Sequence, residues 1–155
     1  MSEEKEYLTE EKFDEFTREL QYLKTEKRKE VAESLEYAKS LGDLSENTEY
    51  HEARDVQAMV EDKIARLEYI LKNAQIVSKH GTGDVSVGSV VTVVKKDSDE
   101  EKEFTIVGSE EADMASLKIS IKSPFGKAIM GKKKGETFSF TTPSGNMNYV
   151  IKQIK

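Results

Sequence analysis

Two carboxylates three residues apart, Asp43 and Glu46, lie in the segment Leu41-Gly42-Asp43-Leu44-Ser45-Glu46-Asn47-Thr48-Glu49-Tyr50. Carboxylate oxygens suit hard divalent cations. Two side chains are too few for Mg2+, which takes near-octahedral oxygen coordination and keeps several waters. A pair of this kind needs the rest of its site from a partner. The same residues also have a structural use. Gly42 suits the left-handed position just past a helix end. Asp43 can cap a following helix, with Glu46 three residues on as in a capping box. The two uses are compatible, since capping would orient the pair.

Other chemistries are poorly supplied. His51-Glu52-Ala53-Arg54-Asp55 lacks the second histidine of a zinc-protease helix, and the chain's other histidine is His80. His51 reads as a surface helix residue. There is no cysteine, which excludes thiolate metal sites, disulfides and cysteine nucleophiles. Neither Gly81-Thr-Gly83-Asp84 nor Gly131-Lys-Lys-Lys-Gly135 has the spacing of a phosphate-binding loop. The Lys132–Lys134 run reads as a solvated turn.

What must position the carboxylates is legible from punctuation. Residues 1–80 contain one glycine, Gly42, and no proline; the other glycines and both prolines fall in 81–155. So long a stretch with one break is helical rather than β. Apolar positions Phe13, Phe16, Leu20, Leu23, Val31, Leu35, Ala38 and Leu41 recur at helical steps before Gly42. Lys27 interrupts them, and the spacing slips to fours in the manner of a coiled-coil stutter. After Gly42, Tyr50, Gln57, Ile64, Leu71 repeat every seven, interleaved with Ala53, Val60, Leu67, Ala74.

The stripes pair antiparallel. The residue numbers of Ala38 with Tyr50, Leu35 with Ala53 and Val31 with Gln57 each add to 88. Those of Leu23 with Ile64, Leu20 with Leu67, Phe16 with Leu71 and Phe13 with Ala74 each add to 87. A near-constant sum defines a helical hairpin whose bend is at residue 44. Arms of roughly thirty residues are about 45 Å long at 1.5 Å per residue. Thr9 is the expected cap of the first helix, with Glu10 and Glu11 in its first turn.

Beyond Ser78–Asp84, of linker composition, short strands are expected at 87–94, 104–107, 117–121, 137–141 and 148–154, with a helical turn at 127–131. The expected fold is α+β: an antiparallel coiled-coil hairpin over 1–77 with an acidic tip at 42–50, a linker at 78–86 and a small β-rich domain over 87–155. Residues 1–80 carry 20 acidic and 13 basic residues, and the chain has a net charge of −6. An acidic rod is a poor coat for free nucleic acid. The polar N-terminus is unlike a secretory signal, and no apolar run has the length of a membrane span. The chain is expected to be cytoplasmic.

The bend Gly42-Asp43-Leu44-Ser45-Glu46-Asn47-Thr48-Glu49-Tyr50-His51 resembles the G-D-L-x-E-N-x-E-Y signature of the bacterial Gre transcript cleavage factors. The likeness continues through Asn73-Ala74-Gln75-Ile76, Ile106-Val107-Gly108, Glu111-Ala112-Asp113, Ile119-Ser120, Ser123-Pro124, Gly126-Lys127-Ala128 and Pro143-Ser144-Gly145, in order and at family spacing. It implies an N-terminal coiled coil, an FKBP-like C-terminal domain and binding to RNA polymerase as a monomer. The coiled coil would enter the polymerase's secondary channel, so that no strong independent nucleic-acid binding and no membrane contact are expected. Asp43 and Glu46 would help hold the second Mg2+ of the polymerase active site, the chain having no cofactor of its own, and the polymerase itself would cut the backtracked RNA. Lys39 and Arg54 match basic positions that approach the nascent RNA 3′ segment. Gly42, Leu44, Asn47 and Tyr50 would support the tip, and Ser123, Pro124, Phe125 and Gly126 would dock on polymerase. Two positions depart from the pattern: many relatives carry Ala at Thr48, and glycine is common at Leu117. A Gre-like channel binder that regulates without cleaving is the alternative reading. A prolyl isomerase, suggested by the FKBP-like domain alone, is a third, and fold does not carry activity with it.

Overall fold

A computed structural model describes residues 4–77 and 83–155. Two compact units divide the chain, one of Phe13–Asn73 and the other of Met1–Lys12 with Ala74–Lys155.

The first unit holds most of a helical hairpin. Helix α1 (Glu10–Tyr22) runs through a π-helical turn (Leu23–Lys27) into α2 (Arg28–Ser40), and α3 (Thr48–Lys72) returns. Phe16, Leu23, Val31, Leu35 and Ala38 are buried on the outward arm, and Ala53, Val60, Ile64, Leu67 and Ile70 on the return arm. These lie on the expected stripes, with changes at the ends: Phe13 and Leu20 are half-buried, Leu41 is exposed, and Ile70 is buried while Leu71 is half-buried. Both follow Leu67 at helical spacing, three and four residues on.

The slip in the first stripe has a local cause. One extra residue must be absorbed between Leu23 and Val31, where the paired numbers step from 87 to 88. A stutter would spread this over several turns. Here it is absorbed in a single π-helical turn, in which the Arg28 N–H donates to the Leu23 carbonyl five residues back. The Thr25 hydroxyl donates to the Gln21 carbonyl at 2.8 Å. Ion pairs tie the arms around this turn: Lys63 with Glu19, Lys24 with Glu68, and Arg28 with Glu61 through two bonds of 2.9 Å. Arg28 holds the Glu61 carboxyl below its ordinary range. Exposed pairs like these contribute little each and serve mainly to fix register.

The second unit begins with the first residues of the chain, which the sequence placed in the hairpin. Strand β1 (Glu6–Leu8) pairs in parallel with β2 (Ala74–Ile76). Ala74, expected to close the return stripe, therefore starts a strand. Thr9 does cap α1: its hydroxyl accepts from Lys12 N–H at 3.2 Å and donates to Glu111 at 2.9 Å.

The main sheet has the order β5-β4-β3-β7-β6, from β3 (Val90–Lys95), β4 (Glu101–Val107), β5 (Lys118–Ser120), β6 (Thr137–Thr142) and β7 (Gly145–Ile154). All five expected strands are present. The first starts later than expected because the Ser89 N–H closes a turn onto Ser86 O before it. Residues 78–82 of the expected linker lie outside the described residues. Its end belongs to the β unit, since Val85 is buried and its N–H donates to Lys132 O at 2.9 Å. The core gathers Val85, Val91, Val93, Phe104, Ile106, Ile119, Ile129, Phe138 and Ile151 about Phe125. Phe125 comes from α4 (Pro124–Ile129). This helix starts three residues before the expected turn, with Ser123 as cap and Pro124 in the first turn. Leu117 lies in the left-handed region at φ 56°, so this turn is made with a branched side chain.

Candidate functional site: the hairpin tip

The residues that link the two arms form a short loop. Helix α2 ends at Ser40, and Gly42 takes φ 136°, a conformation that side chains disfavour. Asn47 then joins both arms. Its Oδ1 accepts from Tyr50 N–H at 3.1 Å, capping α3, and its Nδ2 donates to the Ala38 carbonyl near the end of α2. One side chain thereby satisfies a free amide of one helix and adds a donor to a carbonyl of the other that also accepts from Leu41 N–H.

This arrangement corrects the expected capping box. Asn47 caps α3, not Asp43, and Glu46 precedes the helix rather than lying in its first turn. Asp43 instead folds onto its own loop. Its Oδ1 accepts from both Ser45 N–H and Ser45 Oγ–H, each at 3.0 Å. The Ser45 amide, then the Ser45 hydroxyl, holds the Asp43 carboxyl below its ordinary range, so the group is ionised at neutral pH. Glu46 is exposed, and among the described residues no hydrogen bond or ion pair is drawn to it. The loop puts two anionic side chains at the N-terminal end of α3, where the helix dipole favours negative charge.

Around the pair, Leu41 and Leu44 are exposed. Tyr50 is half-buried and packs edge-on to His51, with ring centroids 5.9 Å apart. His51 is, as expected, an exposed helix residue, and its Nε2 lies 3.4 Å from Ser45 O. Lys39, in the last turn of α2, and Arg54, in the second turn of α3, are both exposed. The Arg54 Nη1 donates to Gln57 at 3.3 Å. The sequence reading gave Ser45 no role. The signal for Ser45 was the Asp-x-Ser spacing itself, because aspartate commonly bonds the backbone two residues on.

The four residues expected to dock on polymerase lie in the β unit and are not equivalent. Phe125 and Gly126 are buried. A Cβ on Gly126 would lie 2.0 Å from Ser120 O, so only glycine fits there. Ser123 donates to Ser120 O and accepts from Gly126 N–H. Pro124 is exposed. Of the four, Pro124 is the one open to a partner, and the others hold it in place.

No group of three or more His, Cys, Asp or Glu able to hold a metal ion occurs among the described residues. Asp43 and Glu46 can contribute ligands to a cation but cannot enclose one. No described helix is long and apolar enough to cross a membrane.

Comparison with known proteins bears on both units. Residues 6–76 match the family model described as transcription elongation factor, N-terminal, and residues 80–155 match the model for transcription elongation factor, GreA/GreB, C-term. Transcription elongation factor GreA of Clostridium perfringens (strain SM101 / Type A) is 46% identical over 157 residues, spanning 100% of this chain and 99% of that protein. GreA of Clostridium botulinum (strain Langeland / NCTC 10281 / Type F) is 48% identical over 157 residues, spanning 99% and 98%. Among solved structures, the GreA factor homolog 1 (Gfh1) protein of Thermus thermophilus is 28% identical, covering 98% of this chain and 99% of that one at a TM-score of 0.45. The chain belongs to the GreA/GreB family of transcription elongation factors.

Proposed function

We propose that this chain binds bacterial RNA polymerase and stimulates the polymerase's own cleavage of backtracked nascent RNA. It carries no active site of its own. The observation that supports this reading most directly is the state of the tip: two exposed carboxylates, free of cationic partners, on a loop fixed by Asn47. A structural capping pair would be consumed by its own helix, and this one is not.

In this reading the hairpin enters the secondary channel, and Asp43 and Glu46 supply oxygens to the second Mg2+ of the polymerase centre. The donor set fits the ion: hard, anionic oxygens, too few to bind it without the polymerase. Such a cation stabilises the attacking and leaving oxygens of an in-line displacement. The chain's part is positioning. Asn47 locks the loop, Ser45 orients Asp43, and Lys39 and Arg54 offer positive charge to the RNA 3′ segment. The β unit docks on polymerase around Pro124. One copy suffices, and no membrane is involved.

The test is a backtracked elongation complex with labelled RNA. The intact chain should give shortened RNA that keeps its 5′ end. Asp43→Ala and Glu46→Ala should each abolish that product while still competing with the intact chain for polymerase. Polymerase binding without any cleavage by the intact chain would establish the non-cleaving regulator instead.

A further inference from the structure

Asp43 has two carboxylate oxygens in unlike surroundings. Oδ1 takes both the amide and the hydroxyl of Ser45 at 3.0 Å, which fills the two acceptor positions a carboxylate oxygen offers. No described residue donates to Oδ2. We propose that Ser45 is a positioning residue: its hydroxyl commits Oδ1 to the loop and turns Oδ2 outward as the single oxygen that Asp43 presents to a divalent cation.

This rests on the reading that the tip carboxylates serve the polymerase's metal. It adds a denticity and a residue. An octahedral cation such as Mg2+ has tight geometry and little tolerance for a carboxylate that swings between one-oxygen and two-oxygen contact. On an exposed loop an aspartate would ordinarily sample several rotamers. Two donors from one serine hold Asp43 in one of them before the cation arrives, so the ordering is complete in the free chain. Ser45 is itself steadied, since its carbonyl faces His51 Nε2 at 3.4 Å. It stands at the variable position of the G-D-L-x-E-N signature.

Two measurements on the full chain test the assignment. The first needs no polymerase: side-chain scalar couplings that report Asp43 χ1 by NMR. The intact chain and Ser45→Thr should show one dominant rotamer, and Ser45→Ala an average over several. The second is the Mg2+ concentration for half-maximal stimulated cleavage. Ser45→Ala should raise it about three- to tenfold, the range of an ordinary hydrogen bond's net contribution. Ser45→Thr should stay within about twofold. At saturating Mg2+, Ser45→Ala should regain the full rate, which a disordered or misfolded tip would not. An unchanged Asp43 rotamer in Ser45→Ala, or an unchanged Mg2+ midpoint, overturns the proposal. If Asp43→Ala and Glu46→Ala both cleave normally, the functional reading falls. The χ1 measurement still decides separately whether Ser45 orders the aspartate.

Discussion

The hairpin and the β unit are stabilised in opposite ways. In the hairpin each helix buries one stripe, and between Ala38 and Ala53 no side chain is fully buried. In the β unit the buried side chains converge on one aromatic ring: Phe125 lies 5.3 Å from Phe104, 5.2 Å from Phe138, 5.5 Å from Phe140 and 5.8 Å from Tyr149, all edge-on. The contrast separates two jobs. The β unit has a centre that one substitution can empty. The hairpin has a register instead, and its tip carboxylates lie where least side-chain surface is buried.

The comparison can be broken first at its centre. Phe125→Ala should destabilise the β unit by about 3–5 kcal/mol, read by chemical denaturation, with the hairpin's helical signal persisting beyond the β transition. A single cooperative loss of both signals would remove the contrast. A second, smaller effect tests whether register is what holds the hairpin. Deleting Thr25 removes the extra residue and makes the paired numbers constant along both arms, so helicity and unfolding midpoint should be kept. Deleting Ala58 from α3 instead doubles the mismatch and should cost about 2–4 kcal/mol through lost burial. Equal effects of the two deletions would show that the π-helical turn does not carry the register.

Asn47→Ala comes next, at about 1 kcal/mol for a lost helix cap, measured by thermal unfolding followed by circular dichroism. Leu117→Gly should act in the other direction in the β unit. Relief of a left-handed branched residue should stabilise it by up to about 1 kcal/mol, seen as a raised denaturation midpoint. Smallest of all is Glu46→Ala. It should leave the unfolding midpoint unchanged while abolishing stimulated cleavage, the sharpest form of the separation between chemistry and stability.

The sequence made the hairpin legible because heptads repeat a signal many times over. The extra residue was visible as a step of one in the paired numbers, but it read as a stutter and the structure absorbs it in one π-helical turn. What it concealed was short or shared. Glu6–Leu8 and Ala74–Ile76 are three residues each, too brief for a period-two pattern, and they pair across the whole hairpin. The helical turn was expected only from residue 127, although serine followed by proline, as at Ser123-Pro124, opens a helix. At the tip the carboxylates were found, but Asp43 and Asn47 are both good caps. Spacing alone did not decide between them; the reach of Asn47 to Ala38 on the other arm did.

The parallel pairing of β1 with β2 also bears on how the chain folds. Parallel strands need a long crossover, and here that crossover is the whole hairpin. The strand synthesised first is thus among the parts that wait longest for a partner. The hairpin's contacts form between arms joined by a short loop, and such local topology folds fast. Once it has closed, it returns the chain to where it departed, and most of the entropy of a loop from Leu8 to Ala74 has already been lost. The rod acts as the folding template for the strand pair at its root.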